Sequence, residues 1–173
     1  PEPAGYAFIN EIHYDNTGTD TGEGIEVAGI AGTNLNGWSL VLYSGTPGSS
    51  TIGQPYSTIA LSGVIADQNN GFGTAAFMLP SNGLQNGASD GMALVNANGD
   101  VVQFLSYEGT FTAVAGPAAG MTSTDIGIAQ NSAPVGTSLQ LVGLGGSYED
   151  FTWVSTDQTF NSINTGQSFL DPN

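Results

Sequence analysis

Apolar residues in this chain come in short runs separated by clusters of Gly, Asn, Ser and Pro. Nowhere do they sustain the three-to-four-residue spacing of an amphipathic helix. The runs predict strands over Ala7–Tyr14, Ile25–Ala28, Trp38–Tyr43, Thr58–Leu61, Ala75–Leu79, Gly91–Asn96, Val101–Tyr107, Ser138–Val142 and Phe151–Val154. Alternation is clearest in Trp38–Tyr43, where Trp38, Leu40 and Leu42 share one face, and in Ser138–Leu141, where the two leucines point inward. The sharpest local signal is Asn98-Gly99 between Met92–Ala97 and Asp100–Leu105. It predicts a two-residue type I′ hairpin, with Val95 opposite Val102 and Ala93 opposite Phe104. Apolar residues on both faces place that hairpin inside a sheet rather than at its edge. The stretches Ser44–Gly53 and Ala113–Gly120 read as long loops. Many short strands with such turns predict an all-β fold, an immunoglobulin-like β-sandwich. The Cys…Trp…Cys signature of antibody domains is absent, so burial of Trp38, Trp153 and the eight phenylalanines must replace a disulfide.

Charge changes the picture more than any motif. The 173 residues include no Lys or Arg, 15 Asp and Glu, and one His, for a formal net charge of −15. A typical chain of this length carries on the order of twenty basic side chains. Lys and Arg salt bridges are therefore excluded, trypsin-like proteases have no cleavage site, and nucleic acid phosphates find no cationic partner. No apolar run approaches the ~20 residues of a membrane-spanning helix, and no basic face exists to hold anionic lipid. Zero cysteine removes disulfides, thiolate chemistry and zinc–sulfur sites. With a Ser/Thr/Asn/Gly surface, these features point to a secreted, extracellular bacterial protein, its charge well screened in concentrated salt. The length fits one domain: an extension over residues 1–6 that begins like a trimmed start, a body over 7–169, and the beginning of a linker over 170–173.

The densest polar cluster runs from His13 to Glu26. Its Asp15, Asp20 and Glu23 are hard oxygen ligands of the kind Ca2+ takes, although the spacing is not that of an EF-hand. The competing reading is a polar loop whose Asx turns cap the backbone. His13, the lone histidine, reads as structural. Alternation places it on the Glu11 face, and His13 with Glu11 or Asp15 could do acid–base chemistry only if a nucleophile stood beside them. Glu149-Asp150 and Glu108 are carboxylates of the type glycosidases pair, but the former lies in a turn expected to be solvated. No Walker loop, basic–aromatic interleaving or Asn-x-Ser/Thr sequon occurs.

Several segments together resemble a known family. Phe8–Asn16, Gly22–Val27 and Leu35–Tyr43 resemble the opening of a lamin-tail domain, in the version at the front of secreted bacterial nucleases. Ser89–Val95, the Asn98-Gly99 hairpin and Val102–Gly109 are similar to its middle; Gly136–Leu141, Phe151–Trp153 and Asn164–Phe169 resemble its end. The resemblance implies an immunoglobulin-like sandwich. It also implies a non-catalytic accessory role, ahead of a metal-dependent endonuclease/exonuclease/phosphatase-type catalytic domain in the same polypeptide. Nothing in the chain resembles that catalytic domain, so neither catalysis nor direct nucleic acid binding is expected of it. An extracellular protein or glycan is the expected outside partner. The alternative is a calcium-stabilised extracellular adhesion or matrix-binding module. Gly24 departs from the family pattern, which has an aromatic there, and a bend of the strand is expected at that point.

Overall fold

The computed structural model describes residues 5–171. It holds eleven strands: β1 Ala7–His13, β2 Gly24–Ile30, β3 Ser39–Ser44, β4 Gln54–Ala60, β5 Phe72–Met78, β6 Gly91–Val95, β7 Val101–Ser106, β8 Thr124–Asp125, β9 Thr137–Gly145, β10 Phe151–Asp157 and β11 Gln167–Phe169. One turn of 3-10 helix, Tyr148–Asp150, is the only helical segment among the described residues. The all-β class expected from the run pattern is the class observed, with the two-sheet make-up that a β-sandwich requires. The expectations for residues 1–4 and 172–173 fall outside the described residues.

The chain forms two compact units, each carrying one sheet. The first extends through Leu35 and takes in Gly63–Gly83 and the chain from Gln130 on; the second comprises Asn36–Ser62 and Leu84–Ala129. In the first unit the strand order is β10-β9-β1-β2-β5, antiparallel, with β11 running parallel along the far end of β9. In the second it is β4-β3-β6-β7-β8, with only the β7–β8 pair parallel.

All nine sequence-predicted strands are present, with ends moved by a few residues. The two strands that were missed, β8 and β11, are two and three residues long and pair in parallel with distant segments. So short a stretch has no periodicity to read. Strand β6 lies inside its sheet, as its two apolar faces require. The hairpin after it differs from expectation. Asn98 does not adopt positive φ, whereas Gly99 does (87°), and Gly99 N–H donates to Asn96 O. The Asn96 side chain also accepts from Asn98 N and Asp100 N. The loop is thus a type I turn closed by a left-handed glycine rather than a type I′ turn. Ala93 still faces Phe104, but Val95 faces Val101 instead of Val102. Val102 is left exposed.

Each unit has an aromatic cluster. In the second, Val41 and Tyr43 of β3 pack with Phe104 and Phe111, the latter two rings meeting edge-on at 5.3 Å. Leu40, Leu42, Met92 and Leu94, in the alternate register, are also fully buried. In the first unit Phe8, Phe72, Phe151 and Phe169 gather with Leu141 and Ala28. Phe72 stacks on Phe169 at 4.6 Å and 10°, and Phe151 meets Phe169 edge-on at 5.4 Å. Six of the eight phenylalanines and Trp38 are buried, while Trp153 is half-buried. Gly24 does not bend its strand. It pairs with His13 on one side and Met78 on the other, and a Cβ there would lie 2.9 Å from Met78 Sδ. The Met78 side chain occupies the space that an aromatic would need.

Phe169 ties the last strand to this cluster and is fully buried. Phe169→Ala is expected to cost about 3–5 kcal/mol, read as a lowered urea midpoint.

Candidate functional site

The acidic loop between β1 and β2 is held from within. His13 is fully buried, with Nδ1 3.1 Å from Gln130 Oε1 and Nε2 3.1 Å from both Asn16 Oδ1 and Thr21 O. Gln130 Oε1 also accepts from Tyr14 N, and Tyr14 Oη accepts from Gln130 N at 2.7 Å. The histidine ring therefore organises the loop through Gln130, Asn16 and Thr21. The three carboxylates expected to meet at a calcium ion each hold a different backbone amide. Asp15 Oδ2 accepts from Ser132 N, Asp20 Oδ1 from Asn16 N, and Glu23 Oε2 from Gly83 N. Asp20 and Glu23 are buried. Among the described residues, no group of three or more His, Asp or Glu side chains is arranged to hold a metal ion.

The most unusual chemistry lies beside this loop, where Glu11, weighed in the sequence only with His13, meets Glu26. A β-bulge between Ile9 and Glu11 shifts the register of β1 on β2, so that Glu11 stands directly opposite Glu26. Both are fully buried. Glu11 Oε1 accepts from Ser138 Oγ (2.6 Å), Thr159 N (2.9 Å) and Gln140 Nε2 (3.3 Å), and its Oε2 accepts from Thr159 Oγ1. Glu26 Oε1 accepts from Asn10 Nδ2, and Oε2 from Asn161 N. Asn164 Nδ2 adds bonds to Asn10 O and Leu141 O. The segment after β10 is thus tied across the sheet by two carboxylates and an amide. Burial pushes both carboxyls upward. Glu26, with the Glu11 charge opposing it as well, is raised to about 8. The signal that could have found this pair is a carboxylate flanked by Ile or Val within a run expected to be buried: Ile9-Asn10-Glu11-Ile12 and Ile25-Glu26-Val27.

Three further acids divide between interior and surface. Asp90, fully buried in the second unit, accepts from Gly45 N and Thr46 Oγ1 through Oδ1, while Oδ2 has no protein donor. Desolvation pushes its carboxyl up, and the Glu108 charge adds to the shift. Glu149 and Asp150 are exposed on the 3-10 turn, as the solvated-turn reading expects. Asp150 Oδ2 accepts from Gly146 N, Ser147 N and Ser147 Oγ. These bonds hold its carboxyl below the usual range.

The Ser138 hydroxyl against Glu11 has the spacing of a nucleophile and its base. Both are sealed from solvent, so no substrate atom can approach. Fold and side chains together define an all-β scaffold in which Glu11, Asp20, Glu23, Glu26 and Asp90 are turned inward as hydrogen-bond acceptors. Comparison with family models, with curated proteins and with solved structures gives no match to this chain.

The raised carboxyls set a pH dependence. Between the unfolded value near 4.5 and the folded value of about 8, unfolded Glu26 is ionised while the folded group keeps its proton. Raising pH across that window lowers stability by about 1.4 kcal/mol per unit for one such group. Glu11 and Asp90 act in the same direction. Melting temperature is expected to rise as pH falls from 8 towards 5. In Glu26→Gln the slope should be flatter, measured by thermal denaturation at matched ionic strength.

Proposed function

We propose that this chain is a non-catalytic accessory domain, the lamin-tail-like module of a secreted bacterial nuclease, which spaces or docks a catalytic domain of the same polypeptide. One observation supports the non-catalytic part above the others. The best-formed hydroxyl–carboxylate pair, Ser138 with Glu11, is 0% exposed on both sides and ties the segment at Thr159 in place. The remaining well-placed polar side chains, His13, Asn16, Asp20 and Gln130, are engaged with the chain's own loop atoms. The nuclease context is carried by the resemblance of the quoted segments alone. The absence of Lys and Arg supports a module that leaves nucleic acid to another domain. No helix among the described residues is long and apolar enough to cross a membrane.

Purified chain is expected neither to cut plasmid in Mg2+, Mn2+ or Ca2+ nor to retard DNA in a low-salt gel. Cleavage that persists in Ser138→Ala and His13→Ala material would trace to a contaminant, while cleavage abolished by either variant would overturn the non-catalytic reading. Translating the gene beyond Asn173 tests the nuclease context, since a catalytic domain either follows or does not.

The alternative, a calcium-stabilised adhesion or matrix-binding module, needs Asp15, Asp20 and Glu23 to leave three separate backbone donors and converge. Chelator and excess Ca2+ are expected to leave the melting temperature unchanged. Calcium at a hundred times its dissociation constant would add about 2.7 kcal/mol, and a shift of that size would favour the alternative.

A further inference from the structure

A cleft of about 490 Å3 opens in the first unit. Tyr6, Ile30 and Phe72 form its apolar part, and the acidic residues Glu149, Asp150 and Asp171 line the same space. Tyr6 packs its ring against Phe8 at 5.6 Å, and its hydroxyl accepts from Tyr148 N, so the aromatic wall is fixed from behind. Phe72 is fixed by its stack on Phe169. Leu170, also lining the cleft, is half exposed. The volume falls within the usual range of binding pockets.

The geometry points to a docking cleft for a lysine or arginine side chain presented by a partner polypeptide. The aromatic and aliphatic wall suits the methylene stem of such a residue and the face-on approach of its charged head. The carboxylates supply the counter-charge. Asp150 remains an anion because the Gly146 and Ser147 amides and the Ser147 hydroxyl all donate to it. No side chain of this protein can fill the cationic role, because the chain has no Lys or Arg. The cation must come from outside, and the net charge of −15 steers it inward. A neutral glycan could donate hydroxyls to these carboxylates but would leave their charge unbalanced. A nucleic acid would set phosphates against them. The inference gives the docking role proposed above a site and rests on that reading for the class of partner. The peptide experiment below tests the site, whereas the plasmid experiment tests the reading, so either can fail alone.

The probe is a Gly/Ser-rich peptide with a central Lys-Arg pair, compared with the same peptide carrying Gln-Gln and followed by titration calorimetry on the purified chain. Binding is expected for the Lys-Arg peptide, weakening as salt rises, and not for the Gln-Gln peptide. Glu149→Gln combined with Asp171→Asn should weaken it by about tenfold, while Asp100→Asn, which removes a charge outside the cleft, should change it by less than about twofold. Gly146→Ala is a steric arm: its Cβ meets Phe72 Cζ at 3.6 Å, an ordinary contact, so the variant folds and narrows the cleft. It too should weaken binding. Equal affinity for the two peptides, equal losses in the cleft and Asp100 variants, no effect of Gly146→Ala in a folded variant, or free spermidine binding as tightly as the peptide would each overturn the assignment.

Discussion

Carboxylates buried with no cationic side chain to neutralise them are the constraint on which the rest of this structure depends. Glu11, Glu23, Glu26 and Asp90 are all fully buried, and each ion left uncompensated at such a site costs several kcal/mol. Two remedies are open to a chain without Lys or Arg: donors from its own backbone and polar side chains, and a retained proton. Both are used. Glu11 and Glu26 hold the Thr159–Asn161 backbone, Glu23 holds Gly83, and Asp90 holds Gly45. Each acid thereby fixes the path of a loop that would otherwise be set only by turn chemistry.

The same constraint separates the protein's interior from its surface. Inside, desolvation outweighs the hydrogen bonds at Glu11, Glu26 and Asp90, so their carboxyls are pushed above the usual carboxylate range. At the 3-10 turn the balance reverses. Asp150 is exposed, three donors converge on one of its oxygens, and it favours the anion. Buried acids serve architecture, and the proposed cleft uses an exposed acid beside an aromatic wall to meet a partner. The proposed accessory role and the proposed cleft both follow from that division.

The residues that sequence reasoning placed correctly are those whose surroundings are local. Trp38, Leu40 and Leu42, and likewise Leu139 and Leu141, are buried as alternation requires. The phenylalanines supply the aromatic clusters. Where reasoning failed, a contact that strand alternation does not encode intervened. The Asn96 side chain captured two amides and moved the β6–β7 hairpin by one residue. Met78 made Gly24 a close-packed position rather than a bend. Gln130, more than a hundred residues away, captured the His13 ring.

Composition and short-range pattern determined the all-β class, the nine longer strands, the exclusion of cationic chemistry and the identity of the core aromatics. These depend on side-chain alternation and on which residues are absent, and both are properties of the string itself. Only tertiary structure decided that Glu11 faces Glu26, that Asp15, Asp20 and Glu23 go to separate amides, and that Glu149 and Asp150 share a cleft with Tyr6. A single-residue bulge reverses which side of a strand a carboxylate occupies, and a loop's hydrogen-bond partner is set by whichever segment the fold brings beside it.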